Sequence, residues 1–354
     1  MARIGIGALL GITGGPATYA RELVWALAAL GGHEYVVFTD RPDAFARMGV
    51  ETRLVPLRHT LEQVTWDHLR LPGLIAAAQV ALYHGTKNVL PWRLSVPGVV
   101  TVHDLAPYHR PETFALPQRW HFRATVPRSV RRAARVVADS AHARMDLLRQ
   151  FALSPDRVTT VPLGVASALL RPSPPSLVRA FADRRGLGAR VIACAGTIQP
   201  RKHVERVVAA FAESGAATEG WQLVIAGRIR PGYAPPWLGA LPAGARFLGP
   251  LNDADLHSLY TTASIAMSAS DYEGFGLTLC EAMANGDVVI AVGVTSIPEV
   301  VGDAGVLVAR SDVALLASAL RGLLDDPERL ARLGHAARAR AAQGGTPEWA
   351  PRPR

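Results

Sequence analysis

The chain of 354 residues predicts an α/β protein made of two Rossmann-like domains. Three observations carry this. Short apolar runs of strand length alternate with runs of helical period, the pattern of parallel sheets covered on both faces. The alternation lapses at 164–175, G-V-A-S-A-L-L-R-P-S-P-P, a stretch without hydrophobic period that reads as a linker. The length also exceeds what one core usually holds, since single cores stop growing near ~250–300 residues. The expected division is an N-terminal domain over 1–166, a C-terminal domain over 167–342 and a disordered tail over 343–354.

Taken in order, the apolar run from Ile4 to Ile12 is too short for an export signal and leads directly into Gly14-Gly15 and a helix. It reads as a first buried strand, 3–9, before a helix over 17–30. Strand 35–38 follows, then a mostly helical stretch 61–78 and strands 80–83 and 99–102. Residues 118–135 hold a helix that Pro127 interrupts or starts. Strands 136–138 and 158–161 complete the first half. After the linker come strand 191–195, helix 204–214, strand 223–226, helix 254–262 and a strand-like run at 263–268. Helices 312–324 and 327–342 close the chain, Pro327 suiting a first helical position. Three prolines, Pro347, Pro351 and Pro353, exclude a further helix in the tail.

Composition narrows the partners. Hydrophobic content of 49% supplies two cores. Cys194 and Cys280 are the two cysteines, and both read as buried apolar residues in a reducing compartment. Lys and Arg number 38 against 29 Asp and Glu, a net charge of +9. That suits a nucleotide diphosphate, an anionic lipid surface or nucleic acid. No basic-aromatic module supports nucleic acid, and none is expected as a partner. No run reaches the ~18 apolar residues of a membrane span. The expected location is cytoplasmic, with peripheral attachment to the inner face of the membrane as an extension. Eight arginines between Arg119 and Arg149, opening on Trp120 and Phe122, read either as an anionic-lipid surface or as a solvated helix face. No Cys/His cluster has zinc spacing, and no acidic pair is read as a metal site.

Most chemistry lies in 270–292, S-D-Y-E-G-F-G-L-T-L-C-E-A-M-A-N-G-D-V-V-I-A-V. A strand, a turn with Gly274 and Gly276, a helix over 277–285 and a strand over 288–292 form one βαβ unit. Its turn sets backbone N–H groups at the positive end of a helix, where phosphate oxygens bind. Glu273 lies in the turn and Glu281 lies eight residues on (281 − 273), about two turns at ~3.6 residues each. Both can face the ligand, and sugar hydroxyls donate well to carboxylates. The plainer reading of Glu281 is an exposed helical acid.

The E-G-F-G-L and E-A-M-A-x-G segments resemble the GT-B family of retaining, nucleotide-sugar-dependent glycosyltransferases, family four. Gly196 to Lys202 (G-T-I-Q-P-R-K), Val102 to Leu105 (V-H-D-L), Thr295 to Gly305 (T-S-I-P-E-V-V-G-D-A-G) and the Gly14-Gly15 loop resemble other family segments, in family order. The resemblance implies two Rossmann-like domains facing a cleft. It implies transfer of a hexose, mannose or glucose type, from a nucleotide diphosphate sugar to a polysaccharide or lipid-linked acceptor. Neither metal nor further cofactor is implied. Glu281 would hold the nucleotide ribose and Glu273 the sugar hydroxyls. Gly274, Phe275, Gly276 and Leu277 would offer backbone amides, with Gly196 beside the donor. Arg201 and Lys202 would meet the charge on the departing diphosphate. His103 would position the sugar and stabilise charge, since in a front-face retaining reaction the leaving phosphate oxygen can take the acceptor proton. Gly14 and Gly15 would approach the donor phosphates or the acceptor.

Three departures stand out: Asn285-Gly286-Asp287-Val288 where a proline is common before the strand, Gly7 where many relatives carry Asp, and Ala166 where Asn or Asp is frequent. The tail is also expected to lack, or to truncate, the helix that related enzymes carry back to the N-terminal domain. Two alternatives remain: a non-catalytic or impaired GT-B protein lacking that crossover, and a nucleotide-sugar 2-epimerase, which the E-G-F-G and S-x-P-E-V segments oppose.

Overall fold

A computed structural model describes residues 1–11, 14–56 and 66–344, the side chains of Asp67 and Ser167 excepted. In the first half, the apolar runs form parallel strands β1 (Arg3–Gly7), β2 (Glu34–Thr39), β3 (Glu51–Leu54), β4 (Leu82–Gly85), β5 (Gly98–Val102), β6 (Arg135–Ala138) and β7 (Val158–Thr160). Their order in the sheet is β3-β2-β1-β4-β5-β6-β7. One face carries Val36, Phe38, Val100 and Val136; the other carries Ile6 and Val37 under Ala20 and Val24 of helix Gly15–Leu30. Helix Leu116–Arg132 continues past Pro127, which neither interrupts nor starts it, contrary to expectation. Its face Thr125, Val126, Ser129 and Val130 is buried, and that packing outweighs the lost hydrogen bond.

The second half repeats the plan with β8 (Val191–Ala195), β9 (Gln222–Ala226), β10 (Ala245–Phe247), β11 (Ile265–Ser268), β12 (Val288–Val292) and β13 (Val306–Val308), all parallel and ordered β10-β9-β8-β11-β12-β13. Every residue of β12 is buried, as expected of a strand covered on both faces. Helix Val204–Glu213 lays Val204, Val207, Val208 and Phe211 on the sheet at helical spacing. Helices Ala141–Phe151 and Pro175–Arg185 had no sequence expectation. The first begins at Ser140, whose hydroxyl accepts from the Ala143 N–H.

The two units divide between Val161 and Pro162, ahead of the expected boundary at 166. Leu163 and Val165 draw the start of the expected linker into the second unit by packing on Phe275, Cys280 and Val300. Residues 167–170 form a 3-10 turn, Ser167–Leu170. Of the expected disordered tail, Gln343 and Gly344 are described and follow helix Pro327–Ala342; the rest lies outside the described residues.

Candidate functional site

Strand order reverses between β8 and β11, and in such sheets ligands bind beyond the carboxyl ends of the strands at that point. The chain leaves β8 through Gly196, makes one 3-10 turn over Pro200–Lys202 and enters helix Val204–Glu213. It leaves β11 through 269–276 into helix Leu277–Asn285. These two exits bring Arg201, Lys202 and Glu273 together. The Lys202 ammonium pairs with Glu273 Oε1, and Arg201 Nη1 lies 3.3 Å from Oε2. Burial alone would raise the Glu273 carboxyl, but the Lys202 and Arg201 charges override it and hold the group at about 2, so it is a carboxylate.

Backbone contacts fix this cluster. The Asp271 N–H donates to the Arg201 carbonyl at 3.1 Å, and the Arg201 guanidinium donates to the Tyr272 carbonyl. The Glu273 N–H donates to Thr295 Oγ1 at 3.0 Å, while Ser296 Oγ lies 2.9 Å from the Glu273 carbonyl and 3.0 Å from that of Phe275. Thr295 and Ser296 thus hold the turn, a role the sequence reading of their segment did not reach. Gly227 packs so tightly on this loop that a Cβ there would lie 1.8 Å from the Gly196 carbonyl oxygen. Gly276 has φ +101°, a left-handed conformation that favours glycine, at the N-cap of its helix. Gly274 is buried in the same turn and Leu277 is half-buried; the Phe275 ring packs inward on Cys280 and Val300.

Glu281 is buried and not the exposed acid of the plainer reading. The Tyr260 hydroxyl donates to its Oε2 at 3.4 Å, and burial followed by the Glu281 charge pushes that phenol well up. Asp287, in the segment that departs from family pattern, is fully buried, with no hydrogen-bond partner for either carboxyl oxygen among the described residues. In the Asp253-Ala254-Asp255 sequence, Asp255 sits in a helical first turn, 3.0 Å from Arg184 and 3.9 Å from Arg185.

His103 belongs to the first unit and follows β5 at its carboxyl end. It is buried, with Nδ1 2.6 Å from Asp139 Oδ2, Nε2 2.8 Å from the Thr86 carbonyl oxygen, and the Tyr19 ring edge-on at 4.9 Å. Tyr19 and His84 share Thr101 Oγ1 at 2.9 and 2.8 Å. Tyr19, His84, Thr101 and Asp139 were not candidates from sequence. Gly14 and Gly15 open helix Gly15–Leu30, but a Cβ on either would meet nothing within 4 Å among the described residues, so packing against those residues is not what calls for glycine there. At Gly7 it is: the Tyr83 hydroxyl lies 2.1 Å from where a Cβ would stand. The Asp40 carboxylate receives the Leu10 and Gly11 N–H groups at 2.6 and 2.8 Å.

In the basic stretch, Arg144 is structural, donating to the Val158 and Pro155 carbonyls. Trp120, 74% exposed, and Arg123, Arg128, Arg131 and Arg132 lie in the open on helix Leu116–Arg132. No described helix is long and apolar enough to cross a membrane.

Two family descriptions match the chain: glycosyltransferase family 4 over residues 13–169 and glycosyl transferases group 1 over 181–340. The chain is 30% identical over 261 residues to the O-antigen chain mannosyltransferase B of Escherichia coli, covering 70% of this chain and 66% of that relative. It is 31% identical over 267 residues to the MMP alpha-(1->4)-mannosyltransferase of Mycolicibacterium hassiacum, covering 71% and 62%. The chain thus spans less than two thirds of these curated relatives. Among solved structures, Anabaena Alr3699/HepE in complex with UDP and glucose superposes with a TM-score of 0.76 at 16% identity, over 98% of this chain and 96% of that one.

Proposed function

The chain belongs to the GT-B glycosyltransferases of family four, described as glycosyl transferases group 1, and from that premise we propose that it transfers a hexose, of mannose or glucose type, from a nucleotide diphosphate sugar to a polysaccharide or lipid-linked acceptor. Transfer proceeds with retention and without a metal ion. The observation that carries this reading is the Arg201–Lys202–Glu273 cluster at the switch point of the second sheet. Two cations against one carboxylate leave a net positive charge where a departing diphosphate needs it. On donor binding the phosphates compete with Glu273 for Arg201 and Lys202. Glu273 oxygens released from those pairs accept from sugar hydroxyls. Glu281, oriented by Tyr260, receives the ribose hydroxyls. The leaving phosphate oxygen takes the acceptor proton, and His103 contributes position and charge. Relatives named as mannosyltransferases support the mannose type, and UDP with glucose in HepE supports a nucleotide sugar donor.

The test is a thermal-shift screen of GDP-mannose, UDP-glucose and UDP-N-acetylglucosamine, followed by transfer assays and NMR of the product's anomeric configuration. A binding donor raises the melting temperature. Lys202→Ala should then lower kcat by roughly 10²–10³-fold. Neither a shift nor turnover with any donor would overturn the proposal, and conversion of the donor without an acceptor would indicate an epimerase. The exposed arginines and Trp120 of helix Leu116–Arg132 support peripheral attachment to the cytoplasmic face of an anionic membrane. Co-sedimentation with anionic vesicles, lost at high salt, would bear this out; no binding at low salt would leave the face merely solvated.

A further inference from the structure

We propose that His103 is a permanent imidazolium whose charge and orientation are set by Asp139, making Asp139 a positioning residue. The catalytic consequence rests on the transfer reaction proposed above; the protonation state rests on geometry alone. His103 Nε2 lies 2.8 Å from the Thr86 carbonyl oxygen, and a carbonyl only accepts, so Nε2 carries a hydrogen. Nδ1 lies 2.6 Å from Asp139 Oδ2 with one proton between them. Carboxyls ordinarily titrate near ~4 and imidazoles near ~6.5, so that proton belongs to the nitrogen. Both ring nitrogens are then donors, and the pair is a charge-assisted contact. The ring has little freedom to turn. Its own backbone N–H donates to Asn88 Oδ1 at 2.9 Å, and Tyr19 packs edge-on against it.

The groups facing His103 agree with this assignment. Burial alone would favour the neutral ring, but the Asp139 charge and hydrogen bond, the Thr86 carbonyl and Asp104 together raise its value. From β4, His84 is pushed down to about 4 by burial and by the charge on His103. The two imidazoles therefore carry one positive charge between them. From helix Gly15–Leu30, Tyr19 keeps its phenolic proton, because burial pushes that group far up. The other Asp139 oxygen, Oδ1, is buried with no hydrogen-bond partner among the described residues, so the adjacent charge has to stabilise it. With both nitrogens protonated, His103 offers no lone pair. It contributes positive charge and is not a general base.

The experiment is ¹⁵N NMR of the full chain labelled at histidine, with His103 assigned through His103→Gln. From about pH 6 to about 8, both His103 ring nitrogens should remain protonated. Asp139→Asn keeps an acceptor and removes the charge. In it burial is no longer offset by that charge, and the ring should titrate at or below the ordinary imidazole value of ~6.5. The variant's kcat should then fall about tenfold per pH unit above that value, while the donor KM changes little and wild-type kcat shows no such fall. An unprotonated His103 nitrogen near pH 7 in the wild type would overturn the inference, as would an Asp139→Asn ring that titrates like wild type. Should that variant fail to fold by circular dichroism, the wild-type spectrum decides alone. An imidazolium signal without turnover of any donor would leave this inference standing and remove the transfer reading.

Discussion

Asp287→Ala should stabilise the protein, and by more as the pH rises. Asp287 is 0% exposed, its N–H donates to the Ala282 carbonyl at 3.1 Å, and its carboxyl oxygens lack partners among the described residues. Burial raises this carboxyl well above the ordinary range, with Arg338 opposing only in part. Leaving such a polar group unsatisfied costs about 1–3 kcal/mol. Alanine removes that cost and forfeits ~1 kcal/mol of packing, for a gain of about 0–2 kcal/mol in acid. Below the unfolded value near ~3.9 the carboxyl is neutral in both states. As pH rises, the unfolded chain loses the proton first while the folded chain keeps it. Wild-type stability then falls by up to ~1.4 kcal/mol per pH unit until the folded value is passed. The alanine variant has no such loss. Its advantage should widen by up to ~2.7 kcal/mol between about pH 5 and about pH 7. Urea unfolding of both proteins at the two pH values, followed by circular dichroism, measures the difference. An advantage that does not change with pH, or a variant less stable at pH 7, refutes the reasoning. Either would mean that the native carboxyl is ionised and held by Arg338.

Glu273→Gln keeps the shape and leaves Arg201 and Lys202, 11% and 17% exposed, without their counter-ion; urea unfolding at pH 7 should show a loss of roughly 3–5 kcal/mol. Because Glu273 is held at about 2, its contribution is present above the ordinary carboxyl value and disappears as pH falls toward 2, so the two proteins should converge in acid. Equal stability at pH 7 would show that the ion pairs contribute nothing. Gly227→Ala puts a methyl 1.8 Å from the Gly196 carbonyl oxygen at φ +149°, and should cost at least ~2 kcal/mol and weaken any donor binding. Gly220→Ala, with φ +80° but open space around it, is the control, and a similar loss in both would remove the packing argument.

Much of this architecture was legible in the chain, because burial on both faces writes strands as continuous apolar runs, as in V-V-I-A-V of β12. The glycine turn at 274–276 and the basic pair at 201–202 were legible for a similar reason: each is a local pattern. Strands β3, β10 and β13 were not, since three or four residues such as E-T-R-L carry no period and become strands only by pairing with a neighbour. The continuity of helix Leu116–Arg132 through Pro127 and the burial of Glu281 belong with them, being settled by what packs against them. Partners for charges lie furthest from the sequence. Strand β5 pairs with β6 with Val102 opposite Ala138, so the next residues, His103 and Asp139, emerge side by side although 36 positions apart. Strand β8 adjoins β11, and so Lys202 meets Glu273 across 71 positions. The residues alone determined which groups can ionise and where the longer apolar strands lie. Only sheet order and register decided which charge faces which, because a Coulomb pair depends on distance in space, and that distance is set by strands that are neighbours in the sheet and strangers in the chain.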